Sequence, residues 1–327
     1  MKERIFPAAR AILAALLLAI IAAAPAWAQA QAGPPQGTPP GNPPAQGGAA
    51  PNMAQMIASM KEAFPPFHVI GNINYVGSKG LACYLITTPA GDILLDTGYP
   101  DMASQIEGNI QKLGYKLSEV KIIIDSHSHI DHAGGVAELK SATGAKVMSL
   151  AEDAVYLESG GHNDVLFGDR SPFPPVKVDR ILHDGEAVTL GGVTLTPHLT
   201  PGHTPGNTTW TMVTEDKGKK YNVVFFGIVT VMGNAKLSGN PAYPNMGADY
   251  ARTMKVLPTL ACDVFLASNG SFYNMEQKHD ALLKGADPNP FIDPAGCKAF
   301  VDRAEDSYQQ AVAREQAGGA AAPGAPR

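Results

Sequence analysis

The sequence predicts a mixed α/β domain whose helices lie outside mixed β-sheets. Short apolar runs occur in pairs joined by glycine turns, and segments with helical spacing separate those pairs. The 327 residues also include 34 glycines and 27 prolines, enough for many turns. Taken in order, the stretch 67–76 is strand-like and broken at Gly71 and Asn72. Residues 82–88 and 93–96 flank the turn Pro89, Ala90, Gly91 and form a hairpin. Residues 102–113 have helical spacing and stop at Gly114. Residues 120–124 are an apolar run of the buried-strand kind, and 135–143 are a short helix ending before Gly144. Residues 188–199 turn at Gly191 and Gly192 as a second hairpin, followed by strands at 208–213 and 222–226. A helix at 250–260, a strand at 264–267 and an amphipathic helix at 300–314 close the domain.

Apolar residues form 45% of the chain, which supports a sizeable core, and the near-zero mean hydropathy excludes a polytopic membrane protein. Basic and acidic residues number 25 and 30, so the net charge of -5 argues against a nucleic-acid partner. Three cysteines exclude a disulfide-dense scaffold and a four-thiolate zinc site.

Lys2, Arg4 and Arg10 precede an apolar run at 11–24 that is too short to span a bilayer, for which about 20 residues are needed. Ala26, Trp27 and Ala28 then give an A-x-A step, with Ala28, Gln29 and Ala30 as a second one. Residues 1–28 therefore read as a secretory signal, and the mature protein is expected to be periplasmic or secreted, without membrane insertion. Residues 29–51 are Gly, Pro, Gln and Ala-rich and uncharged up to Pro51, as expected of a flexible linker. The folded domain is expected over 52–316, with a disordered tail at 317–327.

The main chemical signal is Ser126-His127-Ser128-His129-Ile130-Asp131-His132, directly after the apolar strand. Residues two apart on an extended segment point the same way, so His127 and His129 aim at one place. Three imidazoles and a carboxylate in six residues suit Zn²⁺, which favours nitrogen with carboxylate oxygen in tetrahedral sets. A turn-rich loop, Thr200-Pro201-Gly202-His203-Thr204-Pro205-Gly206, offers His203 as a third nitrogen.

Together with Leu95-Asp96-Thr97-Gly98, these motifs resemble the metallo-β-lactamase superfamily. The stretches 71–77 (GNINYVG), 176–179 (VKVD), 202–210 (GHTPGNTTW) and 239–244 (GNPAYP) are similar to subclass B3 metallo-β-lactamases, and the likeness covers about 65–316. The resemblance implies a four-layer αβ/βα sandwich with metals at the rim between two central sheets. It implies that His127, His129 and His203 hold a first zinc, that Asp131 and His132 belong to a second, and that Asp96 steadies the metal-site loop. It also implies a small-molecule β-lactam substrate, opened at its amide by zinc-bound hydroxide that Asp131 orients and whose proton it handles. Some B3 enzymes bridge the positions of Cys262 and Cys297, so a disulfide is expected there, while Cys83 reads as a buried free thiol.

The chain departs from the B3 pattern twice. Asn269 stands where those enzymes usually supply a histidine to the second zinc, and an amide oxygen is the weaker donor. One zinc is therefore expected to bind firmly and the second less tightly. Ile228 stands where many have a serine that contacts substrate, leaving Thr230 as a nearby hydroxyl. His279 is a candidate substitute ligand; His162 reads as a rim residue, and His68, His183 and His198 as structural or surface residues. Two alternatives stay open: a hydrolase of another ester, lactone or amide, and a catalytically impaired zinc-binding paralogue. Competing motifs are thin, since Ser118-Glu119-Val120-Lys121 matches S-x-x-K without S-D-N or K-T-G, and G-x-S-x-G and H-E-x-x-H do not occur.

Overall fold

The computed structural model describes residues 52–233 and 235–320. The expected signal segment and linker (1–28 and 29–51) lie outside the described residues, as do 321–327 of the expected tail. The first sheet contains, in spatial as in chain order, β1 (Phe67–Ile70), β2 (Ile73–Tyr75), β3 (Tyr84–Ile86), β4 (Asp92–Leu95), β5 (Val120–Ile124), β6 (Lys146–Leu150) and β7 (Arg180–Leu182). Its first four strands form an antiparallel meander, and β4 to β7 run parallel. The second sheet is built from β8 (Val188–Leu190), β9 (Val193–Leu199), β10 (Thr208–Asp216) and β11 (Lys219–Phe226), with β12 (Val264–Ala267) added parallel to β11.

Side chains alternate across a strand, and here both directions are apolar because both faces are covered. Tyr84, Ile86, Ile93, Leu95, Ile122 and Ile124 turn into the core between the sheets. Leu85, Leu94 and Ile123 turn the other way, into a separate cluster with the helices α2 (Ala103–Lys112), α4 (Val136–Thr143) and α5 (Ala151–Ser159). On β11 the neighbours Phe225 and Phe226 split similarly. Phe225 meets Tyr84 of the first sheet edge-on at 5.0 Å, and Phe226 meets Phe300 of α8 (Pro294–Ala320) at 5.1 Å. Such aromatic pairs contribute roughly 0.5–1.5 kcal/mol beyond the area they bury. The layers are therefore helix, sheet, sheet, helix. Buried Trp210 ties the sheets at one end, its Nε1–H donating to the carbonyl of Asp125 at 2.8 Å.

The remaining helices are α1 (Met53–Met60), α3 (Ile130–Ala133), α6 (Met246–Val256) and α7 (Met275–Leu283). Several elements run longer than the apolar pattern suggested. β10 and β11 continue to Asp216 and from Lys219 because Lys217 and Gly218, both at positive φ, close a two-residue hairpin turn. The closing helix begins at Pro294, six residues before the expected 300, and runs to Ala320, so the expected tail starts within it. The strands β6 and β7 and the helix α5 were not apparent from periodicity. Cys262 and Cys297 are joined by a disulfide, linking the approach to β12 with α8, and Cys83 is a buried free thiol. No helix among the described residues is long and apolar enough to cross a membrane.

Asp92 of β4 is only 3% exposed, and its Oδ2 has no hydrogen-bond partner among the described residues. Burial, reinforced by Glu119, pushes its carboxyl up to about 6 despite the Thr88 amide and Lys121. The folded state therefore binds this proton more tightly than the unfolded chain, and stability falls as pH rises from about 4 through about 6. Replacing Asp92 with Asn should raise the melting temperature by a few degrees near pH 7.5, with the gain vanishing below about pH 4. Thermal unfolding across that range measures it; a shift independent of pH would show that Asp92 ionises without cost.

Candidate metal centre

The site grows from two loops, one leaving the carboxyl end of parallel strand β5 and one joining the antiparallel pair β9 and β10. From β5 the chain passes through Asp125, Ser126, His127, Ser128 and His129 into α3, which carries Asp131 and His132. From β9 it enters the loop of Thr200 to Asn207, whose turn needs Gly202 at φ +135. A Cβ there would lie 2.6 Å from the Tyr250 ring. The Asn207 side chain closes this loop, donating to the Thr200 carbonyl at 2.7 Å while its Oδ1 accepts from the Ile228 amide at 2.9 Å. Thr208 N–H donates to the Ser126 carbonyl at 2.7 Å and so fastens one loop to the other.

His127, His129 and His203 each present a ring nitrogen, all within 4.8 Å of one another, and all three residues are buried. His127, Asp131 and His132 form a second such set. Zinc bonds of about 2.0–2.1 Å place tetrahedral ligand nitrogens roughly 3.3 Å apart, and His129 Nδ1 lies 3.0 Å from His203 Nε2.

What holds each ring decides which nitrogen is offered. Ser126 Oγ donates to Asp96 Oδ2 at 2.7 Å, so it accepts from His127 Nδ1–H at 3.2 Å and leaves His127 Nε2 a bare lone pair. His132 Nδ1 lies 3.1 Å from the same Asp96 oxygen. The nitrogens His127 Nε2 and His132 Nε2 have no hydrogen-bond partner among the described residues. Buried polar atoms left open in this way suit a cation. Asp96 sits at φ +62, an uncommon conformation outside glycine, and its Oδ1 accepts from the Ser126 amide at 2.6 Å.

Electrostatics favour His127 and His203 as donors and pair His132 with its carboxylates. Burial, with the neighbouring imidazoles, pushes His127 and His203 well below the usual histidine range, so both are neutral and able to ligate. Burial alone would lower His132 too, but Asp131 and Asp96 on either side raise it to about 10. Burial alone would raise Asp131, but His132 keeps its carboxyl well below the ordinary range and therefore ionised.

Sequence reasoning passed over Asp164. It read His162 as the rim residue of that loop, and His162 does lie exposed, paired with Asp169 at 3.1 Å. The buried Asp164 carboxylate instead lies 3.0 Å from His129 Nε2, turning Nδ1 toward His203. The amides of Leu166 and Phe167, each at 2.7 Å, hold it there, and the Phe167 ring meets His129 edge-on at 4.8 Å. A single aspartate in an irregular loop carries no periodic signal.

The other singled-out residues lie as follows. Asn269 follows β12, bridges to Leu81 by its backbone, and its Oδ1 accepts from Ser268 Oγ at 3.3 Å. Ile228 and Thr230 are half-buried, and the Thr230 carbonyl accepts from Tyr250 Oη at 3.4 Å. His279 packs against Phe67 at 4.4 Å and Phe64 at 5.0 Å and is absent from both histidine sets. His68 and His183 are exposed, and His198 bonds Thr211 across β9 and β10.

If Asp164 orients His129, replacing it with Asn should weaken zinc binding about 10- to 100-fold. Competition against a chromophoric chelator reads this. An affinity equal to that of the unmodified protein would remove Asp164 from the site.

The profile of the metallo-β-lactamase superfamily matches residues 80–214. The native FEZ-1 metallo-β-lactamase from Legionella gormanii is 41% identical, with 78% of this chain and 98% of that one covered at a TM-score of 0.76. BJP-1, a subclass B3 metallo-β-lactamase of Bradyrhizobium japonicum, is 38% identical over 80% and 98% of the two chains, at a TM-score of 0.74. An N-acyl homoserine lactonase from a Bacillus species is 33% identical over 161 residues, covering 42% of this chain and 59% of that protein. The chain spans 40% and 59% of the first two curated relatives it matches. With whole-length likeness to solved enzymes and the expected layers in place, the chain belongs to the metallo-β-lactamase superfamily and resembles its subclass B3 members.

Proposed function

We propose that this hydrolase opens the amide bond of β-lactams with zinc. The observation that carries the reading is 41% identity across 98% of a β-lactamase chain. His127, His129 and His203 would hold the first zinc; Asp131 and His132, with Asn269, would hold a weaker second. Zinc so bound lowers the pKa of water toward neutrality and polarises a carbonyl. Asp131, kept ionised by His132, would orient the attacking water and take its proton. Thr230 is proposed to contact the substrate, a role Ile228 cannot fill because it has no polar atom.

A second reading, hydrolysis of a lactone or related ester, is favoured by relatives that are N-acyl homoserine lactonases and hydroxyacylglutathione hydrolases. Hydrolysis of nitrocefin, a carbapenem and a homoserine lactone, each with and without added zinc, separates the two. Zinc-dependent β-lactam turnover is expected; turnover of the lactone alone would move the assignment to the second reading. A protein that binds zinc and turns over nothing would be a catalytically impaired paralogue, against both readings.

After dialysis the protein should retain close to one zinc per chain, and Asn269→His should raise occupancy of the second site. Metal analysis of both proteins measures this. Two tightly held zincs in the unmodified chain would contradict a weak second site.

A further inference from the structure

We propose that Asp153 is a positioning residue that locks the loop of His129 to the loop of His203 and thereby sets the spacing of the first metal set. The proposal rests on the reading that His127, His129 and His203 bind the metal.

Asp153 lies in the first turn of α5 and is 1% exposed. Its Oδ2 accepts from Ser128 N–H at 2.8 Å and from Thr204 Oγ at 2.9 Å. Its Oδ1 accepts from Gly206 N–H at 2.8 Å. Ser128 stands between His127 and His129, while Thr204 adjoins His203, so one carboxylate oxygen bonds both ligand loops at once. Ser128 Oγ adds a further link, lying 3.0 Å from the Asp153 carbonyl and equally from Asp125 Oδ2.

The approach is close enough to dictate the residue types of the second loop. A Cβ at Gly206 would fall 2.5 Å from the Asp153 nitrogen and 2.6 Å from its Cβ and Cγ, so only glycine fits. Thr204 supplies the hydroxyl that a carboxylate needs and that an aliphatic side chain lacks. Two residues of the His203 loop are thus explained by Asp153 rather than by direct contact with a ligand atom.

An aspartate suits the position because all three groups aimed at its two oxygens are donors. An asparagine offers one accepting oxygen and turns an N–H₂ group toward at least one of those donors. The loops would then lose a shared anchor, whereas ligand geometry must be held within about 0.5 Å to be productive.

The test uses the full chain and reads zinc affinity together with amide hydrogen exchange of the zinc-free protein. In Asp153→Asn, exchange at 126–130 and at 202–207 should quicken together, by about tenfold or more, as expected for loosened local structure. Zinc affinity should fall about 10- to 100-fold. Thr204→Ser should behave as the unmodified protein. Thr204→Val should loosen 126–130, although the substituted residue belongs to the other loop. Unchanged zinc affinity in Asp153→Asn, or loosening confined to one loop, overturns the proposal. If Asp153→Asn does not fold, Thr204→Val decides, and unaltered exchange at 126–130 overturns it. An unmodified protein that binds no zinc overturns the metal reading and this proposal together; one that binds zinc, beside an unaffected Asp153→Asn, overturns this proposal alone.

Discussion

Everything at the candidate centre depends on burying imidazoles with ring nitrogens turned toward shared points. Leaving a buried polar atom without a partner costs roughly 1–3 kcal/mol, so such nitrogens persist only where the surrounding structure fixes them. At His127 and His132 that fixing comes from Asp96, through Ser126 for the first and directly for the second. At His129 it comes from Asp164. The two sheets exist, for this purpose, to deliver strand ends close enough for loops from both to meet.

Buried carboxylates accumulate beneath those loops. Burial, with repulsion from Asp153, pushes Asp125 up to about 7, and burial pushes Asp153 up to about 6 despite three hydrogen-bond donors. Concentrated negative charge in a low-dielectric interior is unfavourable by itself. Hydrogen-bond donors from both ligand loops offset part of that cost.

Legibility in the sequence followed the range of the interactions. The H-x-H-x-D-H run was readable because its geometry is local: alternation on an extended segment and one short turn of helix bring the groups together. Val120 to Ile124 was readable as a strand because it is buried on both faces. Asp153 was not readable. With Glu152 it occupies the first helical turn, where acids are commonplace next to the positive end of the helix dipole. Its partners lie 25 to 53 residues away, beyond any local pattern. The closing helix was underestimated because its first turns contain Pro294 and Gly296, which dilute the helical signal although proline is well tolerated in a first turn. Asn269 was readable only as a departure from a family pattern; its own bonds, to Ser268 and Leu81, are ordinary.

The two overlapping ligand sets are not equivalent, and the reason lies in His127. Both sets include it, yet its Nδ1 proton is engaged by Ser126, which leaves a single lone pair on Nε2. A lone pair serves one metal. The first set draws its other nitrogens, from His129 and His203, out of two separately anchored loops, and it remains complete when it takes His127. The second set is then reduced to Asp131 and His132, neighbours on one short helix. A further donor must come from outside that helix, and the residue the family pattern offers, Asn269 after β12, is an amide whose oxygen accepts from Ser268 Oγ. Imidazole suits zinc better than an amide oxygen does. Under the proposed two-metal reading, a weak second site would follow from competition for His127 as much as from Asn269, because a histidine at 269 would matter less if His127 could serve both metals.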